Sequence, residues 1–144
     1  MKSTKQKKQL KKQGQEKLFP TFEVLAMFKD YFPDIDLAKV EWSWEVPYKI
    51  YEAEFEQDGQ EIEAEFTITG HLVLIETSIP NDELPEVVRK SLRERYPNQS
   101  IDEVERVEYS NGMVCYEIEL EKGEKVREVL YREDGLFIGE EIDL

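Results

Sequence analysis

Apolar residues recur along this chain with two distinct periods. In Val24 to Pro33, VLAMFKDYFP, the apolar residues Val24, Phe28 and Phe32 stand four apart. In Val88 to Pro97, VRKSLRERYP, the same spacing holds for Val88, Leu92 and Tyr96. Apolar residues at i, i+4 and i+8 make one stripe of a helix. Each segment stops at a proline, which disfavours helical backbone in the residue before it. Two helices are therefore predicted, one in each half of the chain.

Elsewhere the period is two. Tyr51, Ala53 and Phe55 alternate with Glu52 and Glu54, and Ile62, Ala64, Phe66 and Ile68 alternate with Glu63, Glu65 and Thr67. Val114, Tyr116, Ile118 and Leu120 are interleaved with Cys115, Glu117 and Glu119. Strict alternation marks strands with one buried face. Asp58-Gly59, Thr69-Gly70, Asn111-Gly112, Lys122-Gly123 and Asp134-Gly135 supply turns between them.

The halves also align with each other. Leu37 and Val40 fall on Ile101 and Val104. With one extra residue in the second half, Trp42 and Trp44 fall on Val107 and Tyr109, YEAEF falls on YEIEL, and Gly70 falls on Gly135. The predicted fold class is α+β: two tandem repeats, each a helix plus a four-stranded antiparallel sheet. The expected organisation is a basic flexible tail at 1–17, a first repeat at 18–79 and a second at 80–144, packed as one domain. On this alignment Trp42 and Trp44 belong to the core rather than to an exposed anchor.

A helix ending in Phe-Pro or Tyr-Pro, a Y-E-x-E-Φ strand and a Gly hairpin resemble the PepSY-like, beta-lactamase-inhibitor-like family. The second half carries the fuller pattern in LPEVVRKSLRERYP, VCYEIEL and VLYREDGLFIGEE. The first half has Thr67-Ile68-Thr69-Gly70 where an acidic residue commonly precedes the glycine. The resemblance implies the fold and an inhibitory or binding role outside the cytoplasm. It supplies no catalytic residue.

Charge changes the picture most. The 144 residues hold 19 Lys and Arg against 33 Asp and Glu, a net charge of -14. Residues 1–17 contain seven lysines and one glutamate, leaving 12 basic and 32 acidic groups, a local -20, in the rest. A body this acidic repels phosphate backbones, which argues against nucleic-acid binding through it. If the aromatic and aliphatic positions of the strands face the core, Glu41, Glu45, Glu52, Glu54, Glu63, Glu65, Glu117 and Glu119 face outward together, with Glu108, Glu121 and Glu128 falling similarly. Like charges on paired strands repel, and glutamate is a poor strand former. Such a face either keeps an open sheet soluble or docks a protein with a basic surface. The Lys-rich start is a third occupant to consider, folding back to mask the face.

No apolar run approaches the ~18 residues that span a membrane. The start, MKSTKQKKQLKKQGQEK, has charge with no apolar segment behind it, so the sequence as it stands reads as cytoplasmic; the family resemblance implies a periplasmic or secreted alternative.

No cofactor or catalytic group is signalled. His71 is the sole histidine and lies 44 positions from Cys115, the sole cysteine, so a zinc site is unsupported. Cys115 has no activating base in its pattern. Glutamates on a flat sheet lack the loop carbonyls that complete a calcium shell, and no metal ligand is assigned. The leading reading is a non-enzymatic, inhibitor-like binding protein. Its alternatives are an acidic nucleic-acid mimic that sequesters a basic protein, and a small glutamate-based metal-dependent enzyme.

Overall fold

The computed structural model describes residues 19–143; the expectations for the basic tail at 1–17 lie outside them. In chain order come α1 (Phe22–Tyr31), β1 (Glu41–Glu45), β2 (Ile50–Gln57), β3 (Gln60–Thr67) and β4 (Leu72–Ile79). They are followed by α2 (Glu86–Arg95), β5 (Ser100–Tyr109), β6 (Val114–Lys122), β7 (Lys125–Arg132) and β8 (Phe137–Asp143).

Both helices form where their stripes predict. Thr21 caps α1 by accepting the Val24 N–H at 3.3 Å on its hydroxyl, satisfying one of the donors a helix start leaves open. Phe32, before Pro33, leaves helical geometry and closes the last turn through its N–H to the Phe28 carbonyl at 2.8 Å. α2 carries Glu86 in its first turn and Arg93 and Arg95 in its last, the charge order that its dipole favours. Its cap residue, Tyr96, likewise leaves helical geometry just before a proline, Pro97.

The strands correct the expected architecture. They form one eight-stranded antiparallel sheet in the order β1 to β8, not two four-stranded sheets. Among the described residues, two ten-residue helices stand against eight strands, so this part of the chain is mostly β. The join is β4 with β5, paired from Leu74 opposite Tyr109 to Ile79 opposite Val104. Its cause lies in the composition of β4. LVLIETSI places apolar residues on both faces, and such a strand is best accommodated with a neighbour on each side rather than at a sheet edge.

Two hydrophobic clusters hold the helices to the sheet. Val24, Phe28 and Phe32 pack on Ala53, Phe55, Ile62, Ala64 and Phe66. The paired alanines, Ala53 opposite Ala64, leave room for Phe28, whose ring lies 5.2 Å from Phe55 and 5.4 Å from Trp42. Such edge-on contacts add about 0.5–1.5 kcal/mol each beyond area burial. In the second cluster Val88, Leu92 and Tyr96 pack on Val104, Tyr116, Ile118, Leu120, Val129 and Tyr131.

Hairpin glycines seat against both helices. Gly70, at φ +90°, follows β3, and a Cβ there would come 2.7 Å from the Glu23 carbonyl oxygen. Thr21 adds a hydrogen bond from its hydroxyl to the Ile68 carbonyl at 3.1 Å. Gly135 occupies the same kind of position between β7 and β8, where a Cβ would meet the Val87 carbonyl oxygen at 3.0 Å.

The alignment of the tryptophans also needs correction. Trp42 is on the helix side, packed against the first cluster, and Trp44 is half-buried with its ring 4.7 Å from Tyr51. Val107 and Tyr109, however, point to the opposite face: Val107 pairs with Glu76 and Cys115, Tyr109 with Leu74. Arg106 and Glu108 take the helix side instead, which overturns the outward placement expected of Glu108.

Candidate functional site

Strand pairing sets opposed residues on one side of a sheet, so the registers alone assemble the face turned away from the helices. One row runs Glu41, Glu54, Glu63, Glu76, Val107, Cys115 and Arg132. A second runs Ser43, Glu52, Glu65, Leu74 and Tyr109. Towards β8, Ser78, Glu105, Glu117 and Leu130 form a third, and Glu103, Glu119, Glu128 and Glu141 a fourth. Glu45 shares the parity of Glu41 on β1. All eight glutamates singled out in the sequence therefore share one face.

Their depths differ, and this was not expected of a solvated face. Glu41 is exposed, while Glu45, Glu54, Glu63, Glu65 and Glu117 are half-buried. Glu52 and Glu119 are buried, at 2% and 5% exposure. Nor is the face uniformly anionic. Leu74, Val107, Tyr109, Cys115 and Leu130 form an apolar band near its middle, with Val107 and Cys115 buried and the others half-buried.

Several acids here escaped the sequence reading. Glu76, buried at 7%, belongs to the first row but sits in a strand apolar on both sides. Its signal was available: it is the single acid in LVLIETSI. Glu105 joins the third row. Asp102 and Glu103 are adjacent in sequence, and alternation places neighbours on opposite faces. A register shift between Ile101 and Glu103 breaks the alternation there and cannot be seen in composition.

Three groups of carboxylates have ligand oxygens within 4.8 Å of one another: Glu45, Glu52 and Glu65; Glu63, Glu76 and Glu105; and Asp102, Glu103 and Glu119. These are the described residues best arranged to hold a cation. Glu119 is strongly shifted. Burial, then Glu103, Asp102, Glu128 and Glu121, push its carboxyl up to about 7. Burial likewise raises the Tyr109 phenol, with Cys115, Glu117, Glu76 and Glu65 adding to it. The Cys115 thiol is pushed up chiefly by burial, the opposite of what activates a nucleophile. His71 is exposed at a hairpin tip, where its backbone N–H donates to the Thr67 hydroxyl at 3.1 Å.

The antiparallel eight-stranded sheet with α1 and α2 packed on one side has the β-lactamase-inhibitor-like fold. The family model described as "Putative beta-lactamase-inhibitor-like, PepSY-like" matches residues 49–138, more than half of the chain, and the chain belongs to that family. Among solved structures, a BLIP-like protein from Bacteroides fragilis superposes with a TM-score of 0.71 at 23% identity, covering 92% of this chain and 91% of its own. A protein from Bacteroides eggerthii, described as one of the "putative periplasmic proteins", gives a TM-score of 0.78 at 19% identity over 87% of this chain and 90% of its own. A DUF2874 family protein from Bacteroides uniformis gives 0.77 at 20% identity, covering 86% and 90%. At these identities the likeness is one of fold. No curated protein matches the chain. No helix among the described residues is long and apolar enough to cross a membrane.

Proposed function

We propose that this chain is a non-enzymatic, inhibitor-like binding protein that presents its acidic sheet face to a protein partner with a basic surface. The observation that carries the reading is the collection of Glu41, Glu45, Glu52, Glu54, Glu63, Glu65, Glu117 and Glu119 on the face turned away from both helices. Family membership supports the inhibitor-like part, and the relative described as periplasmic supports a site of action outside the cytoplasm.

The size of the face fits the role. Eight strands set ~4.8 Å apart and ~25 Å long cover roughly 850 Å², close to the ~800 Å² that each partner contributes to a standard interface. The half-buried Leu74, Tyr109 and Leu130 provide an apolar centre, with carboxylates around it to steer a cationic partner.

A charge-reversal variant tests this. Glu54, Glu63, Glu65 and Glu117, all half-buried, are changed together to lysine, and folding is checked by circular dichroism. Binding of a lysine-rich protein is measured at low and high salt. The wild type binds in a salt-sensitive manner and the folded variant does not. Equal binding by a folded variant removes the reading.

A further inference from the structure

We propose that Asp102, Glu103 and Glu119, brought together by the bulge in β5, form a site for a hard divalent cation of the calcium class. The site needs no protein partner and lies at the corner of the face where β5, β6 and β7 meet.

Backbone geometry builds the site. Ile101 pairs with Leu120 and Glu103 with Glu119, so Asp102 is an extra residue on β5 with no counterpart on β6. In a regular strand the carboxylates of Asp102 and Glu103 would project to opposite faces. A bulge re-aims one side chain and lets neighbours converge. Here it brings one oxygen from each of the three acids within 4.8 Å of the others. Calcium holds its oxygens at ~2.3–2.6 Å, so two ligands on one ion lie at most about 5 Å apart. The spacing matches.

A second observation points to a ligand independently. Glu119 is 5% exposed, and its Oε1 is buried with no hydrogen-bond partner among the described residues. A buried carboxylate oxygen lacking a donor is costly, and a cation removes that cost. Among the described residues, the charged neighbours that its strand and the paired strands set around it are acidic: Glu103 opposite on β5 with Asp102 beside it in the bulge, Glu117 and Glu121 on its own strand, and Glu128 on β7, with Glu141 next beyond on β8. An all-oxygen set without histidine or cysteine favours calcium over zinc. Asp102 is exposed, leaving an open side where water completes the shell.

The full chain, freed of metal with a chelator and dialysed, is titrated with calcium chloride by calorimetry at pH 8. A single saturable site is expected, with a Kd of roughly 0.1–1 mM. Asp102→Asn, an exposed change that spares the core, and Glu119→Gln each weaken binding by tenfold or more. Glu94→Gln, on the exposed side of α2, leaves it unchanged. Absence of saturable binding overturns the proposal. So does binding that survives both Asp102→Asn and Glu119→Gln, which would mean diffuse condensation of cations on the acidic face.

Discussion

Glu119 makes the acidic face a measurable liability, and replacing it with glutamine exposes the cost. Burial and the surrounding carboxylates raise its titration from 4.5 to about 7. Below pH 4.5 the group is protonated in both folded and unfolded chains and contributes nothing. Between 4.5 and 7 the folded chain holds more of the proton than the unfolded chain, so stability falls as pH rises. Above 7 the whole penalty is present. At about 1.4 kcal/mol per pH unit the upper bound is about 3.4 kcal/mol, and partial screening by water lowers it to about 1.5–3 kcal/mol. Glu119→Gln keeps the shape and removes the charge. In urea melts with chelator present, the variant is expected to exceed the wild type by that amount at pH 8 and to match it at pH 4.5. Using the difference between the two proteins cancels the other carboxylates. A variant no more stable at pH 8, or one offset equally at both pH values, would refute the reasoning.

Further outcomes follow from the core and the turns. Phe28→Ala empties the centre of the first cluster, where the ring is fully buried among Phe32, Trp42, Phe55 and Phe66, and costs about 3–5 kcal/mol in a denaturant melt. Gly70 and Gly112 share φ +90°, but only a Cβ at Gly70 meets backbone, at Glu23. Gly70→Ala is therefore expected to cost about 1–3 kcal/mol more than Gly112→Ala. Equal losses would show that the hairpin does not seat on α1. Arg95→Ala removes a guanidinium 3.7 Å from the centre of the Phe137 ring and lowers stability by about 0.5–1 kcal/mol in the same assay.

Local patterns carried much of this structure. The stripes Val24–Phe28–Phe32 and Val88–Leu92–Tyr96 and the alternation around Ala53, Ala64 and Ile118 mark elements whose buried faces are as the patterns require. What escaped was long-range or irregular. Pairing of β4 with β5 depends on residues some 30 positions apart, and the hint was the two-sided apolarity of Leu72–Ile79. The sides of Val107 and Glu108 were misjudged because a one-residue offset reverses every side chain in a strand. For the candidate site, the shared face of the eight glutamates was legible from period two. Its apolar band, the depth of Glu52 and Glu119 and the convergence of Asp102 with Glu103 were not, because they depend on register and on a bulge.

The position of β4 bears on any attempt to divide the chain. In the intact sheet, Leu72–Ile79 is shielded on both flanks, by β3 and β5. A fragment ending at residue 79 would turn it into a bare, apolar border, ready to recruit strands from other molecules. Severed halves should clump rather than dissolve, so the natural cut sites are at the ends of the chain, not its midpoint.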